Sequence, residues 1–241
     1  MPGHRSCHGD VWVVVPVFNE ERVIATVIEE LRRVLPNVVC VDDGSSDASA
    51  DEVLRTGAHL VRHPINMGQG AALQTGISYA LLRPGARYFV TFDADGQHRV
   101  QDAAAMVAIA KADSVDVVLG SRFLAGGGEE SGTEGSAGVP LLKRMILRSA
   151  ACVGPSARRL KLTDSHNGLR VLSRPVAREL RITMNGMAHA SEIVSYLGRS
   201  RWTVREAPVC IRYTDYSRSK GQSLINGVNI LFDLSVRQRG G

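Results

Sequence analysis

Residues 11–41 read VWVVVPVFNEERVIATVIEELRRVLPNVVCV, and this stretch contains the pattern that decides the fold. It begins with seven residues that are almost all apolar, which is typical of a buried strand, and it ends with a second apolar run, NVVCV. Between these runs, apolar residues recur at helical spacing and predict a helix that Pro36 stops. The apolar positions of that helix are Val23, Ile24, Val27, Ile28, Leu31, Val34 and Leu35. The stretch therefore predicts a β-α-β unit.

The same alternation of strand and helix continues to residue 122. Further strands are predicted at AHLVRH, RYFVTF and VDVVLG, and further helices at GQGAALQTGISYALL and QDAAAMVAIAKA. Strands that alternate with helices favour an α/β fold, with a mostly parallel twisted sheet and helices on both faces. After a Gly-rich acidic segment at 125–138, we expect a strand at 203–212 and helices near 140–153, 174–181, 188–198 and 222–236.

The composition is that of a soluble globular chain with a core, since 44% of the 241 residues are hydrophobic and 22% are charged. The first ten residues contain no apolar stretch, which argues against a signal peptide. The four cysteines have no metal-ligand spacing and fit reduced thiols in the cytoplasm. They are Cys7, Cys40, Cys152 and Cys210.

The charge is distributed unequally along the chain. Residues 1–138 contain 11 Lys and Arg against 18 Asp and Glu, whereas residues 139–241 contain 18 Lys and Arg against 6 Asp and Glu. A strongly basic second half predicts contact with something anionic. Nucleic acid, an anionic membrane surface and a phosphorylated substrate all meet that description.

Four polar segments follow predicted strands, at the point where each strand ends. They are PVFNE at 16–20, DDGSSD at 42–47, DADGQH at 93–98 and GSR at 120–122. The carboxyl ends of parallel strands meet at one edge of a sheet, and ligands of open α/β sheets bind beyond that edge. We therefore expect the four segments to lie along one ligand-binding edge.

Asp93 and Asp95 are the first candidates for chemistry at this edge. Side chains two positions apart in an extended chain leave from the same face, so the two carboxylates repel each other unless a cation or donors lie between them. A hard divalent cation takes carboxylates together with substrate phosphates, and Gln97 adds a third oxygen on the same side. The position of the turn glycine excludes an EF-hand. The alternative is a solvated turn, where Asp and Gly are common.

Asp42 and Asp43 end the second predicted strand and have two compatible interpretations. Asp43 can accept hydrogen bonds from a nucleobase or ribose, while Ser46 or Asp47 caps the next helix. The glycine-rich dinucleotide fingerprint and the P-loop motif are both absent, which disfavours NAD-type and P-loop binding. The segment NMGQG at 66–70 offers backbone N–H groups to a phosphate, although a tight turn is the commoner use of such a sequence.

The second half of the chain contains two further polar clusters. The first cluster is the segment YTDYSRSKGQS at 213–223, which contains Arg218 and Lys220 and directly follows Arg212. This segment is either an anion-binding loop or a solvated cationic loop. The second cluster is TDSHNGLR, in which Asp164 lies near His166. The sequence is equally compatible with Asp164 as a helix cap and with His166 as a histidine whose hydrogen bonds are satisfied within the protein.

In chain order, PVFNEE, VDDGSSD, NMGQGAAL, DADGQH, GSR, DSHNGLR and RSKGQS resemble the motifs of a family-2 glycosyltransferase with the Rossmann-like GT-A fold. More narrowly, the chain is similar over residues 11–235 to the dolichol- and polyprenyl-phosphate sugar synthases. The subgroup that it resembles is the short actinobacterial type that includes polyprenyl-phospho-N-acetylgalactosaminyl synthase. Two segments depart from the family pattern, because HNGLR replaces an SGF-like segment and RSKGQS places the lysine before the glycine.

The resemblance implies a role for each matching position. The residues that would hold the nucleotide are Pro16, Phe18, Glu20, Val41, Asp43, Asp93, Ala94 and Asp95. Asp93, Asp95 and Gln97 would bind Mg²⁺ or Mn²⁺ and, through it, the donor diphosphate. The remaining catalytic positions would be Arg122 at the rim of the active site, Asp164 before the SGF-like segment, and Arg218 and Lys220 on donor or acceptor phosphate.

The resemblance also implies one GT-A domain over residues 1–241. Its parts would be a nucleotide-sugar-binding half at 11–122, a mobile loop at 123–138 and a basic acceptor-side half at 139–241. The expected reaction is inverting, metal-dependent transfer of a sugar to polyprenyl phosphate from a nucleotide sugar, with a UDP-sugar such as UDP-GalNAc favoured over GDP-mannose. Two alternatives remain: transfer to a glycan hydroxyl, which needs a base such as Asp164, and nucleotide-sugar binding without turnover.

The expected partners follow from this reaction. The last predicted helix is amphipathic, so we expect a cytoplasmic enzyme that is peripheral on the inner face of the cell membrane and has a small integral membrane protein as partner. A core-packing role is the other interpretation of that helix. No nucleic acid is expected, because aromatic residues are only 5% and no helix is recognisable as one that reads a groove.

Overall fold

The computed structural model describes residues 8–131, 155–186 and 188–213. Within these ranges, strands and helices alternate along most of the chain. The strands are β1 (Val11–Val17), β2 (Asn37–Asp42), β3 (His59–Arg62), β4 (Tyr88–Thr91), β5 (Val117–Ser121), β6 (Gly128–Ser131), β7 (Arg170–Ser173), β8 (Val204–Pro208) and β9 (Cys210–Tyr213). The helices are α1 (Ile24–Val34), α2 (Ser49–Arg55), α3 (Gln69–Leu81), α4 (Val100–Ala112), α5 (Pro155–Arg159), α6 (Arg174–Glu179) and α7 (His189–Arg199).

Seven strands form one sheet in the order β3-β2-β1-β4-β7-β5-β8, and β6 pairs with β9 in a separate two-stranded sheet. Six strands of the large sheet run parallel, which confirms the predicted mostly parallel α/β architecture. The exception is β7, which is antiparallel to both β4 and β5 and was not predicted from the sequence. Because β7 runs in the opposite direction, its first residue, Arg170, pairs with Thr91, the last residue of β4.

The helices cover both faces of the large sheet, and alternate residues of β1 point to opposite faces. Val13 and Val15 pack in the cluster that contains the apolar sides of α1, α2 and α4. Val14 packs in the other cluster, together with α3, α5, α6 and α7. Every residue of β1 is buried, which explains why that strand reads as a continuous apolar run.

The predicted elements of the second half are present where the structure describes them. The helices expected near 174–181 and 188–198 are α6 and α7, and the strand expected at 203–212 is β8 and β9, which Val209 separates. None of the helices within the described residues is long and apolar enough to cross a membrane.

Part of the predicted mobile loop at 123–138 has regular structure. Residues 128–131 form β6, which pairs in parallel with β9. The rest of that loop, 132–138, lies outside the described residues, as do the helices predicted near 140–153 and 222–236.

Candidate active site

A cavity of about 440 Å³ lies at the carboxyl edge of the large sheet. It is bordered by the loops after β1, β2 and β4, by the start of β7 and by the first residues of α3 and α7. Three of the four strand-end segments therefore meet there, as expected for parallel strands. The predicted site residues that line the cavity are Pro16, Phe18, Glu20, Asp43, Asp93, Ala94 and Asp95.

The loops after β1 and β2 are joined directly by hydrogen bonds. The backbone N–H of Asn19 donates to Ser45 Oγ at 3.0 Å, and Asn19 Oδ1 accepts from the backbone N–H of Ser46 at 2.9 Å. These bonds fix the loop that carries Phe18, whose ring borders the cavity and remains 45% exposed. An exposed ring at a cavity wall provides a flat apolar surface for a planar ligand group.

The carboxylate of Asp43 is used within the protein. Its oxygens accept hydrogen bonds from the backbone N–H groups of Met67 at 2.9 Å and Gly68 at 2.7 Å, and from His63 Nδ1 at 2.6 Å. Three of the N–H groups in the segment 66–70 therefore have acceptors within the protein, because those of Met67 and Gly68 are donated to Asp43 and that of Gly70 is donated to the carbonyl of Asn185. Asp43 holds this loop in place while it borders the cavity.

Val41 does not border the cavity. It is fully buried in β2, and its side chain lies against Gly76 in α3. The side chain of Val41 therefore lies in the core, and a contact between Val41 and the nucleotide stays a prediction.

Asp93 lies at the end of β4, with two hydrogen-bond donors on its carboxylate. Gln69 Nε2 donates to Oδ1 at 3.0 Å, and His98 Nε2 donates to Oδ2 at 2.9 Å. Burial by itself raises the pKa of Asp93, but the hydrogen bond from His98 and the positive charge of Arg170 lower it below its ordinary value. Gly168 allows this arrangement, because a Cβ at residue 168 would clash with the Asp93 carboxylate.

Asp95 has a different environment from Asp93. Its Oδ1 accepts a hydrogen bond from the backbone N–H of Gln97 at 3.0 Å. Burial, followed by the negative charge of Asp93, raises the pKa of Asp95 to about 6. Within the described residues, the pair therefore contains one carboxylate that hydrogen bonds and positive charge stabilise and one with little compensating positive charge, which a bound cation would supply.

The carboxylate pair after β4 indicates what kind of cation fits. The described residues contain no group of three or more His, Cys, Asp or Glu arranged to hold a metal ion. The carboxylate oxygens of Asp93 and Asp95 are hard ligands of the kind that Mg²⁺ and Mn²⁺ bind together with substrate phosphates. Gln97 does not line the cavity, and its backbone carbonyl accepts the N–H of Arg212 at 2.9 Å.

Arg122 and Asp164 form an ion pair beside the cavity and do not line it. Arg122 Nε donates to Asp164 Oδ2 at 2.7 Å, and Arg122 Nη2 donates to Oδ1 at 3.0 Å. Burial raises the pKa of Asp164, but the hydrogen bonds and positive charge of Arg122 outweigh burial and lower it. Asp164 is thus held ionised with both oxygens engaged, which argues against its proposed role as a base.

Three basic side chains that the sequence analysis did not assign also line the cavity. They are His166, Arg170 and His189, which we call the basic cluster. His189 Nδ1 donates to the carbonyl of Gly186 at 2.8 Å, so Nε2 carries the free lone pair when the ring is neutral. Burial and then the charge of Arg170 lower the pKa of His189. The sequence carries no local signal for Arg170, because the strands that β7 pairs with are distant along the chain.

Arg218 and Lys220, the basic residues predicted to meet donor or acceptor phosphate, lie outside the described residues. Their roles stay predictions, as does the anion-binding interpretation of the loop that contains them.

Comparison with known proteins identifies the family to which this chain belongs. The family model for glycosyl transferase family 2 matches residues 12–181. An uncharacterized protein of Methanocaldococcus jannaschii, MJ1222, is 32% identical over 233 residues, which cover 95% of this chain and 92% of that protein. The UDP-N-acetylglucosamine–dolichyl-phosphate N-acetylglucosaminyltransferase of Methanococcus voltae is 26% identical over 250 residues, which cover 95% of this chain and 96% of the relative.

A solved structure supports the same fold. Glucosyl-3-phosphoglycerate synthase from Mycobacterium tuberculosis, in complex with Mn²⁺, UDP and glucosyl-3-phosphoglycerate, matches with a TM-score of 0.59 and 16% identity, covering 87% of this chain and 74% of that chain. The predicted actinobacterial N-acetylgalactosaminyl subgroup is not established by these relatives and stays a prediction. The chain belongs to glycosyl transferase family 2, has the GT-A fold and is a glycosyltransferase related to the dolichyl-phosphate glycosyltransferases.

Proposed function

We propose that this protein is a metal-dependent, inverting glycosyltransferase that moves one sugar from a nucleotide-sugar donor to polyprenyl phosphate. The donor is a UDP-sugar such as UDP-GalNAc, with GDP-mannose as the second choice. The observation that carries the proposal is the pair Asp93 and Asp95, two carboxylates that lie two positions apart just after β4 and line the same cavity.

The residues at the end of β4 fit a divalent cation. Asp95 would be the main ligand and Asp93 the second, because Asp93 is also bound by Gln69 and His98. Bound there, Mg²⁺ or Mn²⁺ would supply Lewis-acid stabilisation of the leaving diphosphate. Two carboxylates alone make a weak site for such an ion, so we expect the metal and the phosphates of the donor to bind together. The Mn²⁺ and UDP in the mycobacterial structure named above are consistent with this assignment.

The nucleotide lies against the loop after β1. Phe18 offers an exposed ring for the base, and Pro16 and Glu20 border the same part of the cavity. Asp43 contributes by holding the loop of Met67 and Gly68, so its effect on the nucleotide is through the shape of the cavity.

The acceptor is a phosphate because a phosphate monoester is already a nucleophile near pH 7, with roughly 1.5 to 2 negative charges. Transfer to it needs no strong base, and the carboxylate that was the candidate base, Asp164, is occupied by Arg122. The dolichyl-phosphate transferase of M. voltae, which covers nearly the whole chain, supports the same acceptor class.

A second candidate, transfer to a glycan hydroxyl, is favoured by one observation. His189 lines the cavity with Nε2 free to accept a proton, so it has the geometry of a general base. This candidate predicts a sugar linked to a glycan instead of to a lipid phosphate.

A donor panel tests the first candidate directly. The full chain is incubated with Mn²⁺, a series of labelled UDP- and GDP-sugars, and liposomes that contain either polyprenyl phosphate or the matching polyprenol. We expect label in an acid-labile lipid only with polyprenyl phosphate, and no such product with Asp95→Asn. Absence of any lipid-linked product, while the donor still binds, contradicts the proposal.

We also propose that the enzyme works as a peripheral protein on the inner face of the membrane, with a small integral membrane protein as partner. The basic charge of residues 139–241 supports attraction to an anionic surface. Flotation with liposomes that contain anionic lipid should carry the protein upward, and about 0.5 M salt should release it, because salt screens such attraction. Equal flotation with neutral liposomes contradicts the electrostatic part of the proposal.

A further inference from the structure

Arg170 is among the largest fully buried side chains in the described part of the protein, with 2% of its surface exposed. It lines the cavity, yet neither Nη1 nor Nη2 has a hydrogen-bond partner within the described residues. These two nitrogens carry four N–H donors, and the guanidinium remains charged at any ordinary pH. A buried positive group at a cavity wall, with N–H donors that no described residue accepts from, is suited to bind an anion because the group has already lost its water.

The two nearby carboxylates do not use these donors. Asp93 and Asp164 attract Arg170 electrostatically, but Asp93 is bonded to Gln69 and His98, and both oxygens of Asp164 are bonded to Arg122. A buried donor without a partner is unfavourable, so the fold keeps an energetically costly arrangement here. A bound anion would relieve that cost.

His166 adds a second unused polar atom on the same cavity. Ser165 Oγ lies 2.9 Å from His166 Nδ1, and the buried Nε2 has no hydrogen-bond partner in the described chain. His166 and Arg170 are both attached to the segment that leads into β7, on either side of Gly168. The sequence HNGLR, which departs from the family pattern, therefore places a histidine and an arginine on one wall.

We propose that Arg170, together with His166, receives the phosphate group of the acceptor. This inference rests on the proposed function, since it assigns the acceptor subsite of the same reaction. The planar guanidinium fork matches two oxygens of a tetrahedral phosphate, a pairing that a lysine ammonium reproduces only as a point charge.

The acceptor is favoured over the donor for reasons of charge. The donor diphosphate would be matched by the cation on Asp95, whereas Arg170 is a separate positive group that interacts electrostatically with Asp93 and Asp164. The second anion in the cavity is the acceptor, and it needs its own positive group. During transfer, an acceptor phosphate oxygen forms a bond to the anomeric carbon, the bond from that carbon to the nucleoside diphosphate breaks, and the diphosphate leaves with the electron pair.

The test compares Arg170→Lys and His166→Gln with Arg174→Lys as the matched control. Arg174 is a partly buried arginine at the β7–α6 junction, four residues after Arg170, but it donates to the backbone carbonyls of Ala86 and Leu81 and does not line the cavity. Binding is measured by calorimetry for inorganic phosphate, for farnesyl phosphate and for UDP with Mn²⁺. Initial rates give KM for each substrate, and donor hydrolysis in the absence of acceptor is measured separately.

Arg170→Lys should weaken farnesyl phosphate and inorganic phosphate binding by about tenfold or more, and His166→Gln by a few-fold, since bidentate charge-assisted bonds are lost. UDP–Mn²⁺ binding and donor hydrolysis should stay unchanged, and KM should rise for the acceptor only. Unchanged phosphate binding, or an equal loss of UDP binding, overturns the inference. Should Arg170→Lys not fold, His166→Gln alone decides by the same split between acceptor and donor.

The outcomes separate this inference from the proposed function. If the wild type makes lipid-linked sugar and both variants bind farnesyl phosphate normally, the proposed function stands and the inference fails. If no lipid product forms but inorganic phosphate binds and Arg170→Lys abolishes that binding, the phosphate site stands, the lipid acceptor fails and a free phosphorylated acceptor takes its place.

Discussion

Two pairs of aspartates follow β2 and β4, the strands on either side of β1, and their surroundings differ. Asp42 accepts hydrogen bonds from Ser45 and Arg62, and Asp43 accepts from two backbone N–H groups and His63, so both charges are matched within the protein. Asp95 accepts one backbone hydrogen bond and has Asp93 as its neighbour. Within the described residues, the carboxylate that we propose as the main cation ligand is therefore the one whose charge the fold leaves unmatched.

The largest effect should come from removing that unmatched charge. Asp95→Asn keeps the shape of the side chain but removes the carboxylate that we propose as the main ligand for the cation, so kcat/KM should fall by about 100-fold or more. Asp42→Asn is the matched control at the other pair and should keep activity within about threefold, because Asp42 has no ligand to hold. Comparable losses in the two variants would remove the distinction between the pairs.

Removing a matched charge should affect stability instead. In Asp43→Asn, an amide group replaces one of the two oxygens of a buried carboxylate that accept hydrogen bonds, so the free energy of unfolding should fall by about 3 kcal/mol. Urea denaturation followed by circular dichroism measures this, with Asp95→Asn as the comparison. A variant at Asp43 as stable as the wild type would contradict the structural role assigned to that carboxylate.

The pH dependence of stability should also distinguish Asp95. Its folded pKa of about 6 lies above the value of about 3.9 for an unfolded chain. The folded state therefore binds more protons between these values, and the free energy of unfolding of the metal-free protein should decrease as pH rises from about 4 to about 7 through this group. Asp95→Asn should remove that decrease, and Mn²⁺ should oppose it in the wild type. A metal-free wild type and variant with parallel pH profiles would refute the assignment.

The smallest effect is expected at Asp42. Its partner Arg62 is 60% exposed on the side chain, and ion pairs with an exposed member contribute little. Asp42→Asn retains one oxygen for the N–H of Ser45, so the free energy of unfolding should change by less than about 1 kcal/mol. Denaturant titration beside Asp43→Asn ranks the two positions directly.

The strand-end segments were predictable from the sequence because parallel strands bring their carboxyl ends to one edge. That inference needs only the alternation of apolar runs and helical periods, and it correctly places Phe18, Glu20, Asp93 and Asp95 at a common cavity. The difference between Asp43 and Asp95 was not predictable in the same way. Asp43 is matched by the N–H groups of a loop that is more than 20 residues away in the chain.

The antiparallel strand β7 was missed for a related reason. Its four residues follow a polar segment and pair with strands that are distant in sequence. The sequence around them therefore shows no local hydrophobic periodicity that predicts a strand. Missing β7 also meant missing Arg170, because a single arginine beside apolar residues carries no signal until its neighbours are known. The role of Asp164 depended likewise on Arg122, which lies 42 residues earlier.

The placement of β7 has a consequence for how the chain is made. β4 and β5 are not neighbours in the sheet, since β7 lies between them, and the other neighbour of β5 is β8. In a nascent chain that has reached residue 122, the edges of β4 and β5 that will later pair with β7 are therefore still unpaired. Completion of the sheet waits for residues 170–173 and then 204–208, so a fragment that ends at 122 should expose open strand edges and self-associate. The cavity bordered by residues 16–95 therefore cannot be completed until the later residues 170–173 and 204–208 have been synthesised.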